Sequence, residues 1–329
     1  MEYLMLIIAC VLIAFQFTAN KIYQRKCQRR KSDVMLYAML TGVFSFVIFL
    51  VYGIITGEIT AFLPSVKTLS FWFALILATL STLSLLTGVL AAKHGSTAIY
   101  SVFMMLGSMV IASVVGMTAW GEGTGALKII GILVLCAAIV IPVIGKGEKM
   151  NVKFTVICAI SGLMNGVFTI ISASHSKLLG TDKVTSTNAM MLWLYLFTAL
   201  LALVFYLIMR FALKNDEENA PVTTKPTEGT KNDSKIAVIL GSVAVMTILS
   251  ALMFSASSGF GYLLQLLVLE KLDATIVTPL VSGLTILMSA FAGLIFFKEK
   301  IDLKNVIAML VTMLGVACII LDGVGVLGI

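Results

Sequence analysis

The groups able to do acid–base chemistry in this sequence avoid the places where they would act inside a membrane. All sixteen carboxylates fall between apolar stretches or at their ends, and no Lys or Arg stands in mid-stretch, Lys93 and Lys128 being terminal. An ionisable group in hydrocarbon is costly and usually marks an ion or proton route. Without one, proton exchange through a buried carboxylate is disfavoured. His175 is the only histidine within an apolar stretch, and its position near the outer end fits an interfacial, hydrogen-bonded histidine. No HExxH, GxSxG, acidic pair or phosphate-binding loop occurs, so enzyme chemistry is not expected. Cys10, Cys27, Cys136, Cys158 and Cys318 show neither CxxC nor metal-ligand spacing. They imply no metal, no cofactor and no disulfide framework.

Uncharged polar residues are what remain to line any path. Gln16 and Asn20 lie one turn apart in the first apolar stretch, and the third carries Ser81, Ser84 and Thr87. Tyr100 and Ser101 open the fourth, while Asn165, Thr169, Ser172 and Ser176 make a stripe on the sixth. Tyr262 and Gln265 belong to the eighth, Thr278 and Ser282 to the ninth. A single Ser or Thr serves interhelical packing more often than a cavity, but mid-span Gln and Asn carry more polar surface to satisfy. The residues expected to contact a solute are therefore Gln16, Asn20, Ser84, Tyr100, Ser101, Asn165, Tyr262, Gln265, Thr278 and Ser282. Trp193 and Tyr195 are left open between anchoring, packing and lining.

The elements that position these groups follow from composition. Hydrophobic residues make up 60%, charged residues 12%, and mean hydropathy is +1.07. Soluble domains carry about 25% charged residues, so an all-α integral membrane protein is expected. Ten spans are predicted near 3–21, 34–56, 69–92, 96–120, 126–145, 154–176, 185–209, 246–270, 274–297 and 305–325. The first has its basic cluster after it rather than before, which fits an uncleaved helix. Residues 236–269 are charge-free and longer than one crossing needs; Gly259 and Gly261 suggest one bent or tilted helix there.

Net charge of +7 would point to nucleic acid in a soluble protein. Here the basic residues sit in loops, so nucleic acid is not an expected partner and anionic lipid is. Eighteen of the 23 Lys and Arg fall in odd-numbered loops. The positive-inside rule then puts both termini outside the cytoplasmic membrane and the polar stretch 214–235 inside, as a disordered linker.

The ninth stretch, DATIVTPLVSGLTILMSAFAGLIFFKE over residues 273–299, stacks Thr278, Ser282, Thr285, Ser289 and Gly293 on one face. Small residues mark a side that meets other helices or a cavity. Residues 96–122 repeat the pattern 177 positions earlier, pairing Ser101 with Thr278, Ser108 with Thr285, Gly116 with Gly293 and Glu122 with Glu299. Five helices per half is an odd number, so halves 1–146 and 147–329 would insert with opposite orientation.

A helix with an early Pro279, a central Gly283, a run of small residues and a closing Glu299 resembles the EamA-type repeat of the drug/metabolite transporter superfamily. The second half matches best; in the first, Val102 stands where Pro279 would be, and Trp120-Gly121-Glu122 replaces Phe297-Lys298-Glu299. The resemblance implies ten transmembrane helices in two inverted five-helix repeats. It implies a central cavity walled by helices 1, 3, 4, 6, 8 and 9, with 5 and 10 peripheral and available for a homodimer contact. The implied activity is secondary transport by alternating access of a small polar metabolite, neutral or zwitterionic and amino-acid-like, with export favoured. The alternatives are an uptake permease for a sugar or amine, and a non-transporting membrane scaffold or sensor.

Overall fold

In a computed structural model of the chain all residues are described except 29–31, 95–96, 124, 142–151, 213–232, 298–302 and 324–329. Among the described residues the only regular elements are helices: α1 Glu2–Lys26, α2 Asp33–Thr56, α3 Leu69–His94, α4 Thr97–Ala119, α5 Ala126–Val140, α6 Val152–Leu178, α7 Thr187–Ala212, α8 Asp233–Leu269, α9 Ala274–Phe297 and α10 Leu303–Gly323. Two short 3-10 turns, Glu58–Ala61 and Pro64–Lys67, join α2 to α3. Apolar runs of this kind become helices because a helix satisfies its own backbone where water cannot. Seven of them are long and apolar enough to cross a membrane, and α5, α9 and α10 contribute shorter apolar stretches. Large apolar side chains such as Leu133, Leu163 and Leu249 lie exposed on the outside, as a multi-pass membrane protein requires.

The eighth apolar run is one helix of 37 residues from Asp233, and its crossing stretch, Val243–Leu269, lies within three residues of the predicted span. At about 1.5 Å per residue the whole helix is roughly 55 Å, well beyond a hydrocarbon core of about 30 Å. Nothing in the sequence stops it earlier: no proline interrupts the run, and Asp233 to Lys235 occupy its first turn. Most of the expected linker, and Glu299, lie outside the described residues. Gly259 and Gly261 do not interrupt α8. They admit neighbours, the Phe49 ring at the first and the α1 backbone at the second.

Packing puts the polar stripes inside. α1 lies against α8 and α9, and α6 against α3 and α4. α2 pairs with α7 and also meets α8, while α3 meets α7. α4 packs on α9; α5 and α10 pair with each other beside α9. From Ala274 to Val281, α9 is buried on every side, even though Pro279 removes one helix hydrogen bond there. Met190 and Met191 are fully buried in the main core, so they serve packing.

Candidate functional site

Four polar residues on four different helices share one geometric signature. Two and a half turns of helix is about nine residues, so side chains nine apart point in opposite directions. Gln16 lies opposite Ile7 on α1 in this sense, Ser101 opposite Val110 on α4, Asn165 opposite Val156 on α6, and Ser282 opposite Phe291 on α9. Each apolar partner is exposed on the outside of the bundle. The polar residue therefore points inward, yet each keeps accessible surface: Ser101 is exposed and the other three are half-buried. Gln265 behaves likewise, half-buried on the side of α8 away from Val245, Leu249 and Leu252.

The accessibility is graded. Along the inward stripe of α4 it falls from exposed Ser101 to Ser108 at 7% and Ala112 at 0%. On α9, Thr278 is buried while Ser282 is partly open. Accessibility along this face of α4 thus falls from its start towards its end.

The remaining expected site residues are tied to neighbours. The Tyr100 hydroxyl donates to the Ser84 carbonyl at 2.7 Å and lies 3.0 Å from Thr87 Oγ1, which in turn accepts from Ser161 at 2.8 Å. These bonds bind α3, α4 and α6 together, so Tyr100 and the Ser84 backbone work in packing. Asn165 Nδ2 donates to the Met104 carbonyl at 2.9 Å, leaving its oxygen for another donor. Tyr262 is 2.7 Å from Ser172 Oγ and lies beside the Phe168 ring. Asn20 Oδ1 accepts from Gln24 of its own helix, at 3.4 Å. Thr278 Oγ1, like Ser113 Oγ, is buried with no hydrogen-bond partner among the described residues.

The closed end is held by charge. Gly121, at φ +63°, turns the chain after α4 so that Glu122 folds back and its N–H reaches the Gly116 carbonyl at 3.0 Å. The Glu122 carboxylate then accepts the first N–H groups of α9, from Ala274 at 3.0 Å and Thr275 at 2.8 Å. Lys177, near the end of α6, places its ammonium 2.7 Å away on the same carboxylate and 5.0 Å from the Trp120 ring centroid. An anion at a helix N-terminus is favoured by the unpaired amides and the helix dipole. Burial works to raise the Glu122 pKa, but the Lys177 ammonium and the two amides outweigh it and hold the carboxyl below the ordinary value. Beside it, Lys128 is 3% exposed, donates to the Gly123 carbonyl and to Thr275 Oγ1, and lies 3.7 Å from Asp273. Gly116 permits the close approach: a Cβ there would sit 2.6 Å from both Glu122 Oε2 and Thr275 Cγ2.

His175, and the two residues left open by the sequence, Trp193 and Tyr195, find places here. His175 is buried, with Nε2 3.1 Å from Ser70 Oγ, which also accepts the Thr185 N–H at 2.9 Å. Trp193 donates to Ser65 Oγ at 2.9 Å and stacks on Phe62, pinning the α2–α3 connection. Tyr195 stacks on Phe49. Sequence reasoning missed the Glu122–Lys177–Lys128–Asp273 cluster. A signal did exist, because every one of these residues borders an even-numbered loop and must share one end of the bundle if the spans alternate.

No family model matches the chain, and no curated protein matches it. A solved structure described only as "Crystal structure of protein" aligns over 98% of both chains with a TM-score of 0.65 and 13% identity. The likeness is one of fold.

Proposed function

We propose that this chain is a secondary transporter that moves a small neutral or zwitterionic metabolite across the cytoplasmic membrane by alternating access. The observation that carries the reading is the inward set of Gln16, Ser101, Asn165 and Ser282, each keeping accessible surface, beside an α4–α9 contact that is closed at Glu122. A membrane scaffold has no use for amides that face its own interior with accessible surface and spare hydrogen-bonding capacity, because polar groups inside a packed bundle are costly unless fully paired. A permeating solute has use for both the exposure and the one-sided closure.

The architecture we infer is ten transmembrane helices in two inverted five-helix repeats, as in EamA-type members of the drug/metabolite transporter superfamily. The pairing of helices supports it. Shifting every helix number by five turns α1–α8 into α6–α3, α1–α9 into α6–α4, and α2–α8 into α7–α3, while α2–α7, α4–α9 and α5–α10 map onto themselves. Each of these pairs is in contact. In this arrangement α1, α3, α4, α6, α8 and α9 enclose the passage, and α5 and α10 stand outside it. The closed end is extracytoplasmic by the distribution of Lys and Arg. The solute is recognised by amide and hydroxyl groups, while the buried Glu122 carboxylate is engaged at the closed end by Lys177 and the first amides of α9.

Thermal-shift screening of the purified full chain against neutral and zwitterionic amino acids, sugars and amines tests this reading. At least one compound should raise the melting temperature in a saturable way, and Asn165→Leu should abolish that rise. A panel that leaves the protein unshifted throughout contradicts it.

A further inference from the structure

We infer that Glu122 is the latch of the extracytoplasmic gate: its carboxylate clamps the ends of α4 and α6 to the start of α9, and breaking that clamp opens a path down to Ser113 and Thr278. The inference rests on the transporter reading above and adds to it a named gate and a named set of residues that the gate hides.

Three independent features converge. The clamp joins three different helices through one carboxylate, with two backbone amides of α9 and the Lys177 ammonium as its donors. α4 and α9 touch directly beneath it at Gly116 and Thr275. One turn deeper on each helix lie Ser113 Oγ and Thr278 Oγ1, 2% and 3% exposed, with no hydrogen-bond partner among the described residues. Buried hydroxyls are rarely left unpaired in a seam built only for packing. Each lies one turn below a member of the Gly116–Thr275 contact, on the two helices that have to separate if the sealed end is to admit a solute. In the closed form they wait unpaired; with the clamp released they offer a solute two hydroxyl groups.

Holding the clamp is a matter of charge as well as shape. Replacing the carboxylate by an amide of the same size keeps an acceptor for one α9 amide but turns an NH2 group towards Lys177. Glu122→Gln should therefore loosen the seal without emptying the site. Lys177→Met should loosen it through the same contact, so the double variant should open it little further than either single change.

The experiment is thiol labelling of the full chain in intact cells, with Ser113→Cys as reporter in a background whose five native cysteines are replaced. A membrane-impermeant maleimide is added from outside. With Glu122 present, the reporter should be nearly inert. With Glu122→Gln or Lys177→Met its labelling rate should rise at least about tenfold, and the double variant should stay within about twofold of the faster single. A second reporter, Leu192→Cys in the main core, must remain unlabelled, which distinguishes gate opening from general unfolding. Labelling of the Ser113 reporter that ignores Glu122, or an increase matched at the Leu192 reporter, overturns the latch. Labelling requires no solute, so a failed compound screen and a failed latch are separate results.

Discussion

Gly107 of α4 lies against Gly162 of α6, so close that a Cβ on Gly107 would sit 2.1 Å from the Gly162 carbonyl oxygen. Gly166, one turn on, faces Ile111 and the Gly107 carbonyl in the same seam. In lipid the hydrophobic effect does not drive helices together, and close backbone approach through small residues supplies the van der Waals contact instead. The crossing also joins one helix of each half of the chain.

Gly107→Ala should therefore destabilise the protein, because the obstacle is backbone that cannot swing aside. Overpacking of this kind costs about 1–3 kcal/mol. Thermal unfolding in detergent should show a melting temperature lowered by several degrees. Gly123→Ala, where an added Cβ meets nothing within 4 Å, should leave it unchanged.

The Glu122 clamp should be sensitive to acid. Its carboxyl is held below the ordinary glutamate value of 4.5. Such a group contributes stability that is fully present above the unfolded value and is lost as pH falls through the folded value. Melting temperature should decline as pH drops below about 4.5, and Glu122→Gln should flatten that part of the profile. At neutral pH the same substitution should cost about 1.5–3 kcal/mol, the range for hydrogen bonds to a charged group.

Asn165→Leu should separate folding from function. It removes one hydrogen bond to the Met104 carbonyl, worth about 1 kcal/mol, together with the amide that faces the interior. The variant should purify as a monodisperse protein with a modestly lowered melting temperature. Solute movement in liposomes should fall to the protein-free rate.

Trp193→Phe tests a purely structural role. The indole N–H holds Ser65 Oγ, and the ring lies against Phe62, Phe71 and Phe197. Phenylalanine keeps much of the ring stacking and loses the donor. A stability loss of about 1 kcal/mol with an unaltered transport rate is expected.

Which of these features the sequence could convey depended on their range. The helices were legible because apolar length and loop charge are local properties, and every described helix but α8 starts within two residues of its predicted span. The eighth crossing was legible to within three residues, but its helix runs back to Asp233, because a helix can continue through polar residues once nothing breaks it and Asp233 to Lys235 carry no breaker. Inward placement of Gln16, Asn165 and Ser282 could be anticipated, since amides and a small-residue stripe avoid lipid. Tyr100 could not be placed: whether its hydroxyl meets a solute or the Ser84 carbonyl depends on how α3 and α4 cross. The Glu122 clamp was hidden for the same reason. Its donors come from positions 152 and 153 residues away and from Lys177, and only assembly brings them together.

Counterflow in proteoliposomes tests the central claim most directly. Vesicles loaded with an unlabelled neutral or zwitterionic metabolite from the screen are diluted into a trace of its radiolabelled form, with a pH-sensitive dye inside. A transient accumulation of label above the equilibrium level, with no change in internal pH, is the predicted result. Label that enters no faster than into protein-free vesicles, or entry that moves protons in fixed ratio to solute, would contradict the account.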